Sequence, residues 1–327
     1  MDSGGSTLRY VKRIPGEKMM ESVKDVKLYR GMDIEKLIEI YKDIHGFMAS
    51  HLYEAIEIVR EIKKSCDVRI ISFTGNIVST GVRGIIAQLL KEKIFNVVIT
   101  TCGTLDHDIA RSYGGRYLKG FFDANDIELH REGIHRLGNI FIPIDSYGPI
   151  IESVVRKVLQ ELLDTYGKDI SWGIREIISE IGKRIDDENS ILRSAYMSNI
   201  PIYVPGFLDG AFGTALYMFT QFNPIKIDVF KDQKELSDIV FGAKCIGALI
   251  LGGGISKHHT LWWAQFHGGL DYAVYVTTAT EWDGSLSGAR PREAISWGKI
   301  KEVARNVVVY ADVTLVLPLI AYAALYM

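Results

Sequence analysis

From Asp33 to Lys64 apolar side chains recur at helical spacing, at Leu37, Ile40, Tyr41, Ile44, Met48, Leu52, Ile56 and Val59, which predicts one or two amphipathic helices. The period then changes. Val68 to Phe73 reads as a strand, followed by Thr74-Gly75-Asn76 and a helix around Val82 to Leu90. Asn96 to Thr100 is a second strand, ending in Thr101-Cys102-Gly103; strand, glycine-bearing turn, helix and strand make a βαβ unit with a right-handed crossover. Two helices follow, Ile150 to Tyr166 and Ile174 to Arg184, and Asn189-Ser190 opens a third. The alternation resumes with a strand over Pro201 to Pro205, then Phe207-Leu208-Asp209-Gly210, a helix from Ala211 to Gln221, a strand from Ile225 to Val229 and a helix near Gln233 to Phe241. Ala248 to Leu251 is continuously apolar, as at the buried centre of a parallel sheet. It runs into Gly252-Gly253-Gly254 and a helix from Ser256; Tyr272 to Thr277 and Val307 to Tyr310 are further strands. The pattern predicts one doubly wound, mostly parallel α/β domain over residues 31–327, with a helical N-terminal extension and a polar, basic arm over residues 1–30.

The last 15 residues, Val313 to Met327, are uncharged and mostly apolar. A membrane span needs about 20 such residues, and Pro318 interrupts this run, so a buried core helix is expected. Composition adds little: 327 residues, 47% hydrophobic and 24% charged, exclude a disordered or low-complexity chain. The net charge of −2 offers no global case for nucleic acid or an anionic membrane as partner. Cys66, Cys102 and Cys245 are scattered with no CxxC pair, so neither a zinc ribbon nor a disulfide framework is expected, and a reducing cytoplasm fits. Met1 to Arg13 lacks the apolar stretch of a secretion signal.

Ligands of open parallel sheets bind outside the carboxyl ends of the strands. Five unusual segments fall there: Thr74 to Ser79, Thr101 to Asp108, Leu208 to Gly213, Gly252 to His259 and Thr277 to Lys299. Gly252-Gly253-Gly254 reads equally as a backbone cradle for phosphate at a helix N-terminus and as a tight strand-to-helix turn. His258 and His259, adjacent on a helix, diverge by about 100°, which argues against a metal pair and for one histidine facing a pocket. Trp262 and Trp263 diverge likewise. Thr278 to Lys299 is a long polar loop with two tryptophans, of a length that is usually functional. Lys299 beside Trp297 could serve as an imine-forming nucleophile or be a surface lysine.

The runs GGGISKHH (252–259), DYAVYVTTATEWDGSLSGARPREAISWGK (271–299) and VYADVTLVLP (309–318) resemble deoxyhypusine synthases, in particular the archaeal branch, from about Thr74 to the C-terminus. The resemblance implies a Rossmann-like fold, a cytoplasmic homotetramer built from dimers, and active sites at the dimer interface that bind NAD. The family reaction oxidises spermidine with NAD. The resulting imine loses 1,3-diaminopropane, and the aminobutyl group passes through an enzyme lysine to a lysine of the hypusine-bearing translation initiation factor. By this resemblance Lys299 is the nucleophile and His258 assists proton transfer. Trp297 covers the polyamine chain, Glu293 holds an ammonium, and Asp283, Gly284 and Ser285 belong to the same polar network. Gly75, Asn76, Ile77, Val78, Ser79, Thr101, Cys102, Gly103, Asp209, Gly253, Thr278, Ala279, Asp312 and Val313 match the NAD contacts, and Cys102 then needs no thiol chemistry. Eukaryotic members carry acids where this chain has His107, Thr214 and Leu286, and a small amide at Trp262. Asp106, Glu281 and Asp283 stand as compensating anions, with Trp262 adding a cation–π face. Two further readings follow from these departures: transfer to a small amine such as putrescine, or a catalytically silent binding subunit.

Overall fold

The computed structural model describes residues 22–327. The expected N-terminal arm lies largely outside the described residues; residues 22–29 run without helix or strand. The elements in chain order are α1 (Ile34–Ile44), α2 (Phe47–Ser65), β1 (Val68–Phe73), α3 (Val82–Lys91), β2 (Val97–Thr100), α4 (Cys102–Ser112), β3 (Leu118–Lys119), α5 (Asp126–Arg131), β4 (Ile134–Leu137), β5 (Ile140–Pro143), α6 (Gly148–Tyr166), β6 (Ser171–Trp172), α7 (Ile174–Arg184), α8 (Ile191–Ser198), β7 (Ile202–Tyr203), α9 (Ala211–Phe222), β8 (Lys226–Ile227), α10 (Phe230–Gly242), β9 (Ile246–Leu251), α11 (Gly254–Ala264), β10 (Leu270–Thr277), α12 (Pro291–Ser296), β11 (Ile300–Tyr310) and α13 (Val313–Tyr326).

Six strands form a sheet in the order β11-β10-β9-β1-β2-β7, every neighbouring pair parallel. From β1 the chain builds outward to β2 and β7, then returns to lay β9, β10 and β11 on the other side. The direction of winding therefore switches between β1 and β9, and the crevice at the carboxyl ends of these strands is where a ligand site is expected. The apolar runs of β1 and β9 follow from burial on both faces. Ile71, Phe73, Leu249 and Leu251 pack with α2, α3 and α13 in one core, while Ile70, Ala248 and Ile250 pack with α10 and α11 in the other. Each such side chain contributes about 1.5–3 kcal/mol by leaving water. The expected doubly wound α/β architecture is observed.

The C-terminal run is a core helix that continues through Pro318, with Val316, Leu317, Ile320 and Ala321 buried and Asp312 capping it by accepting from the Thr314 N–H at 2.8 Å. No helix among the described residues is long and apolar enough to cross a membrane.

Two expectations are corrected, and a region to which the sequence pattern assigned no elements is filled. Cys66 and Cys245 are joined as a disulfide closing a separation of 179 residues. Distance along the chain hid the pair: each cysteine lies just before one of two adjacent parallel strands, β1 and β9, so their Cα atoms come to 4.6 Å. The region between β2 and α6, to which the sequence pattern assigned no elements, holds a three-stranded antiparallel sheet, β3-β5-β4. Its signal was Gly138-Asn139 between two apolar runs, a two-residue hairpin turn with Gly138 at φ +61°. The loop Thr278 to Lys299 is broken by α12, which begins at Pro291 in the first-turn position that proline favours.

Candidate active site

The segments Thr74 to Ser79, Thr101 to Gly103, Gly252 to Gly254, Thr278 to Ala279 and Ala311 to Val313 converge at the carboxyl edge of the sheet because the strands before them are parallel and adjacent. Gly75 lies flat on Gly103: a Cβ there would be 2.4 Å from the Gly103 carbonyl carbon, so only glycine permits this approach. The Gly75 N–H donates to Thr101 Oγ1 at 2.9 Å, locking the first loop to the second. Asn76, Ile77, Ser79 and Asp312 line a groove of about 940 Å³ whose far wall is the antiparallel sheet, through Leu118, Lys119 and Ile140. Val78 and Val313 are buried beneath this edge, while Asp209 and Thr278 are exposed and Ala279 half-buried at it. The groove's size and its position at the carboxyl edge of the sheet fit an extended nucleotide cofactor.

Gly252 to Gly254 forms the turn rather than an open cradle. The space a Cβ would take at Gly253 is filled by Ser287, 2.2 Å away, and Ser287 Oγ accepts from the Gly254 N–H at 3.2 Å. A serine from a distant loop thus caps α11 where a phosphate would otherwise sit.

Helix α4 carries two buried acids that are spent on the fold. Asp106 accepts from the Ala211 N–H at 3.0 Å, the Phe212 N–H at 2.7 Å and the Tyr147 hydroxyl at 3.1 Å, capping α9. Burial raises its pKa and these donors oppose the rise. Two positions on, Asp108 accepts from Ser190 Oγ and the Leu192 N–H, capping α8, and pairs with buried Arg83. Asp106 therefore does not serve as a free anion for an amine, a correction to the compensating set. Glu281 is likewise held, by Arg290 at 2.7 Å, and Asp283 accepts from the Ser285 N–H at 2.6 Å. His107 is kept neutral by burial, its pKa lowered to about 4, with Nδ1 on the Tyr117 hydroxyl. Thr214 donates to the Gly210 carbonyl. The Cys102 thiol is pushed up to about 12 by burial and the nearby Asp106, so it stays protonated.

The amine-chemistry residues gather elsewhere. Lys299 Nζ lies 5.1 Å from the Trp297 ring centre and 5.8 Å from that of Trp262. His258 stacks on Trp262 at 5.8 Å with 22° between the planes. His259, one position on, turns inward against Trp263, and burial lowers its pKa to about 4. The divergence expected from adjacent helix positions is thus observed, with His258 on the exposed face.

Lys299 precedes β11 and its carbonyl accepts from the Leu270 N–H, at the start of β10. The cofactor-edge residues follow the far end of these strands, and the eight residues of β10 span about 26 Å. Within one chain the Lys299 cluster and the cofactor groove are therefore at opposite ends of the sheet. Asp283, Gly284 and Ser285 lie in the loop that Ser287 pins to the Gly254 end, and Glu293 is exposed on α12. Around Lys299 the aromatic faces are open: Trp297 is 67% exposed and Trp262 45%. Sequence reasoning missed Lys257, the buried neighbour of His258, and Ser287. Both lie inside the motif runs, but nothing in their spacing marks them.

The class the fold defines is a parallel, doubly wound α/β protein, with a groove at the carboxyl edge of the sheet and an indole-flanked lysine near its other end. Residues 36–324 match the family model of deoxyhypusine synthase. A relative from Aeropyrum pernix described as "probable deoxyhypusine synthase" is 55% identical over 310 residues, covering 94% of this chain and 99% of its own. One from Sulfurisphaera tokodaii with the same description is 54% identical over 267 residues, 82% and 85% of the two chains. A crystal structure from Entamoeba histolytica under the same enzyme name superposes with a TM-score of 0.65 at 20% identity, covering 91% of this chain and 96% of that one, and shares the fold. The chain belongs to the deoxyhypusine synthase family. None of these relatives favours the small-amine transferase or the silent subunit.

Proposed function

We propose that this protein transfers the aminobutyl group of spermidine to a lysine of the hypusine-bearing translation initiation factor, with NAD as the oxidant and the NADH so formed as the reductant that closes the cycle. The observation that carries the reading is Lys299 Nζ held between Trp262 and Trp297, at 5.8 and 5.1 Å. Indole faces attract a cation and exclude water, which protects an imine on that lysine from hydrolysis. Bound NAD would supply a hydride acceptor for the amine-bearing carbon and, as NADH, a hydride donor for the final imine. Asn76, Ile77, Ser79 and Asp312 would hold it in the groove, with Gly75, Val78, Thr101, Cys102, Gly103, Asp209, Gly253, Thr278, Ala279 and Val313 shaping that edge. His258, exposed and braced by Trp262, is the group placed to move a proton at the amine. Glu293 and Asp283 are the anions open to an ammonium.

The separation of the two halves within one chain supports assembly. A second copy that covers the open tryptophans of the first brings a cofactor edge to each Lys299, as in a homotetramer of dimers. One domain over residues 31–327 and a cytoplasmic location complete the reading; the location rests on the family alone, since the Cys66–Cys245 bridge removes the cysteine argument for it. Incubation with NAD, labelled spermidine and the factor tests it: label is expected on the factor, and none there with NAD still bound contradicts it. Putrescine offered as the acceptor should stay unlabelled.

A further inference from the structure

We infer that Lys257 is a positioning residue whose buried ammonium clamps the backbone of the loop over residues 281–290 to the first turn of α11. The inference rests on the reading above, in which Asp283, Gly284 and Ser285 of that loop meet the substrate amine.

Lys257 is 1% exposed. Its Nζ donates to the Leu286 carbonyl at 2.7 Å and the Ala289 carbonyl at 2.8 Å, and it lies 4.1 Å from the centre of the Tyr275 ring. Its partners are thus two main-chain oxygens of one loop and an aromatic face. Removing an ammonium from water is unfavourable unless its donors are matched; a position that needed only volume would take methionine or leucine. Carbonyls three residues apart, drawn to one nitrogen, curl the loop. Two further pins act on Ser287, one of the two residues between them. Ser287 Oγ accepts from the Gly254 N–H at 3.2 Å, and the Ser287 carbonyl accepts from Thr277 Oγ1 at 3.1 Å. Gly253 leaves the room that Ser287 fills.

The clamped carbonyls follow Asp283, Gly284 and Ser285 in the loop, and the Ala289 N–H donates back to the Ser285 carbonyl at 3.2 Å. The clamp also joins that loop to the helix turn that carries His258, since adjacent helix positions send Lys257 inward and His258 outward. Burial lowers the Lys257 pKa to about 8, with Glu293 opposing. The amine keeps two donors even when neutral, so the two carbonyls remain matched in either state.

Hydrogen exchange of the full chain, with and without Lys257→Met, tests the clamp without reference to activity. Amides over residues 284–290 are expected to exchange at least about ten-fold faster, the factor carried by one hydrogen bond to a charged donor. Peptides from β9 and β10 should be unchanged. In steady state, the spermidine KM should rise about ten-fold while kcat at saturating amine stays within about three-fold, the pattern of lost substrate positioning. Lys257→Arg, which restores a buried cation, should fall between wild type and the methionine variant in both readouts. Unchanged loop exchange in folded Lys257→Met overturns the inference, as does a fall in kcat with KM unmoved. If the methionine variant does not fold, Lys257→Arg decides: faster exchange confined to the loop supports the clamp, and faster exchange throughout the chain refutes it. A wild-type protein that does not consume spermidine would refute the functional reading while leaving the exchange result to decide the clamp.

Discussion

Replacing Asp108 by asparagine should destabilise the whole fold while leaving its shape almost unaltered. Asp108 and Arg83 are 0% and 3% exposed. One carboxylate oxygen takes Arg83 Nε at 2.5 Å and the Ile191 N–H at 3.2 Å; the other takes Ser190 Oγ at 2.7 Å and the Leu192 N–H at 2.9 Å. A carboxamide has one acceptor oxygen, so either orientation turns an NH2 group toward existing donors. Breaking a buried pair by removing one partner costs about 3–5 kcal/mol. Arg83 keeps Asp187 at 2.7 Å, which places the expected loss near the lower end, about 3 kcal/mol. For a chain of 327 residues that corresponds to a Tm lower by about 4 °C. Thermal unfolding followed by circular dichroism at neutral pH measures it, and a cycle with Arg83→Met should give a coupling of at least about 1 kcal/mol. A Tm within about 1 °C of wild type, or a coupling of zero, would refute the assignment of this pair as the anchor of α4 to α3 and α8.

Three other outcomes are expected. Under non-reducing denaturation thiol titration should find one free cysteine, Cys102, and reduction should lower the Tm, because a bridge closing so long a loop restricts the unfolded chain by up to about 5 kcal/mol; three reactive thiols would contradict the pairing. Gly75→Ala should abolish NAD binding, measured by calorimetry, since its Cβ meets the Gly103 backbone at 2.4 Å; retained affinity would remove the close approach of the two loops from the site. Burial raises the Asp232 pKa to about 6, above its unfolded value, so the stability this group contributes is full below about pH 4 and is lost as pH rises through 6. Asp232→Asn should accordingly be the more stable protein at pH 7, by up to about 3 kcal/mol in denaturant melts, and equal or lower stability would show that its charged cap on the Arg175 N–H dominates.

The sheet was legible because its strands are apolar on both faces and each ends in a glycine or polar turn, a contrast that needs no partner to be read. Asp106 and Asp108 show the limit. Two acids after a strand end look like chemistry in a sequence, yet the helices they cap, α9 and α8, start about 100 and 80 residues later, and only packing brings them there. The same holds for Cys66 with Cys245 and for Ser287 over Gly253: contacts made by parallel strands and returning loops leave no local period. Lys299, Trp297 and His258 were legible through family resemblance, while the separation of Lys299 and Trp297 from the cofactor edge emerged only from the direction of β10 and β11.

Borohydride trapping tests the central claim most directly. The protein is incubated with NAD and labelled spermidine without the acceptor factor, reduced, digested and mapped by mass spectrometry. The account predicts an aminobutyl adduct on Lys299 in wild type and none in Lys299→Ala. An adduct on another lysine, or none while NAD remains bound, would contradict it.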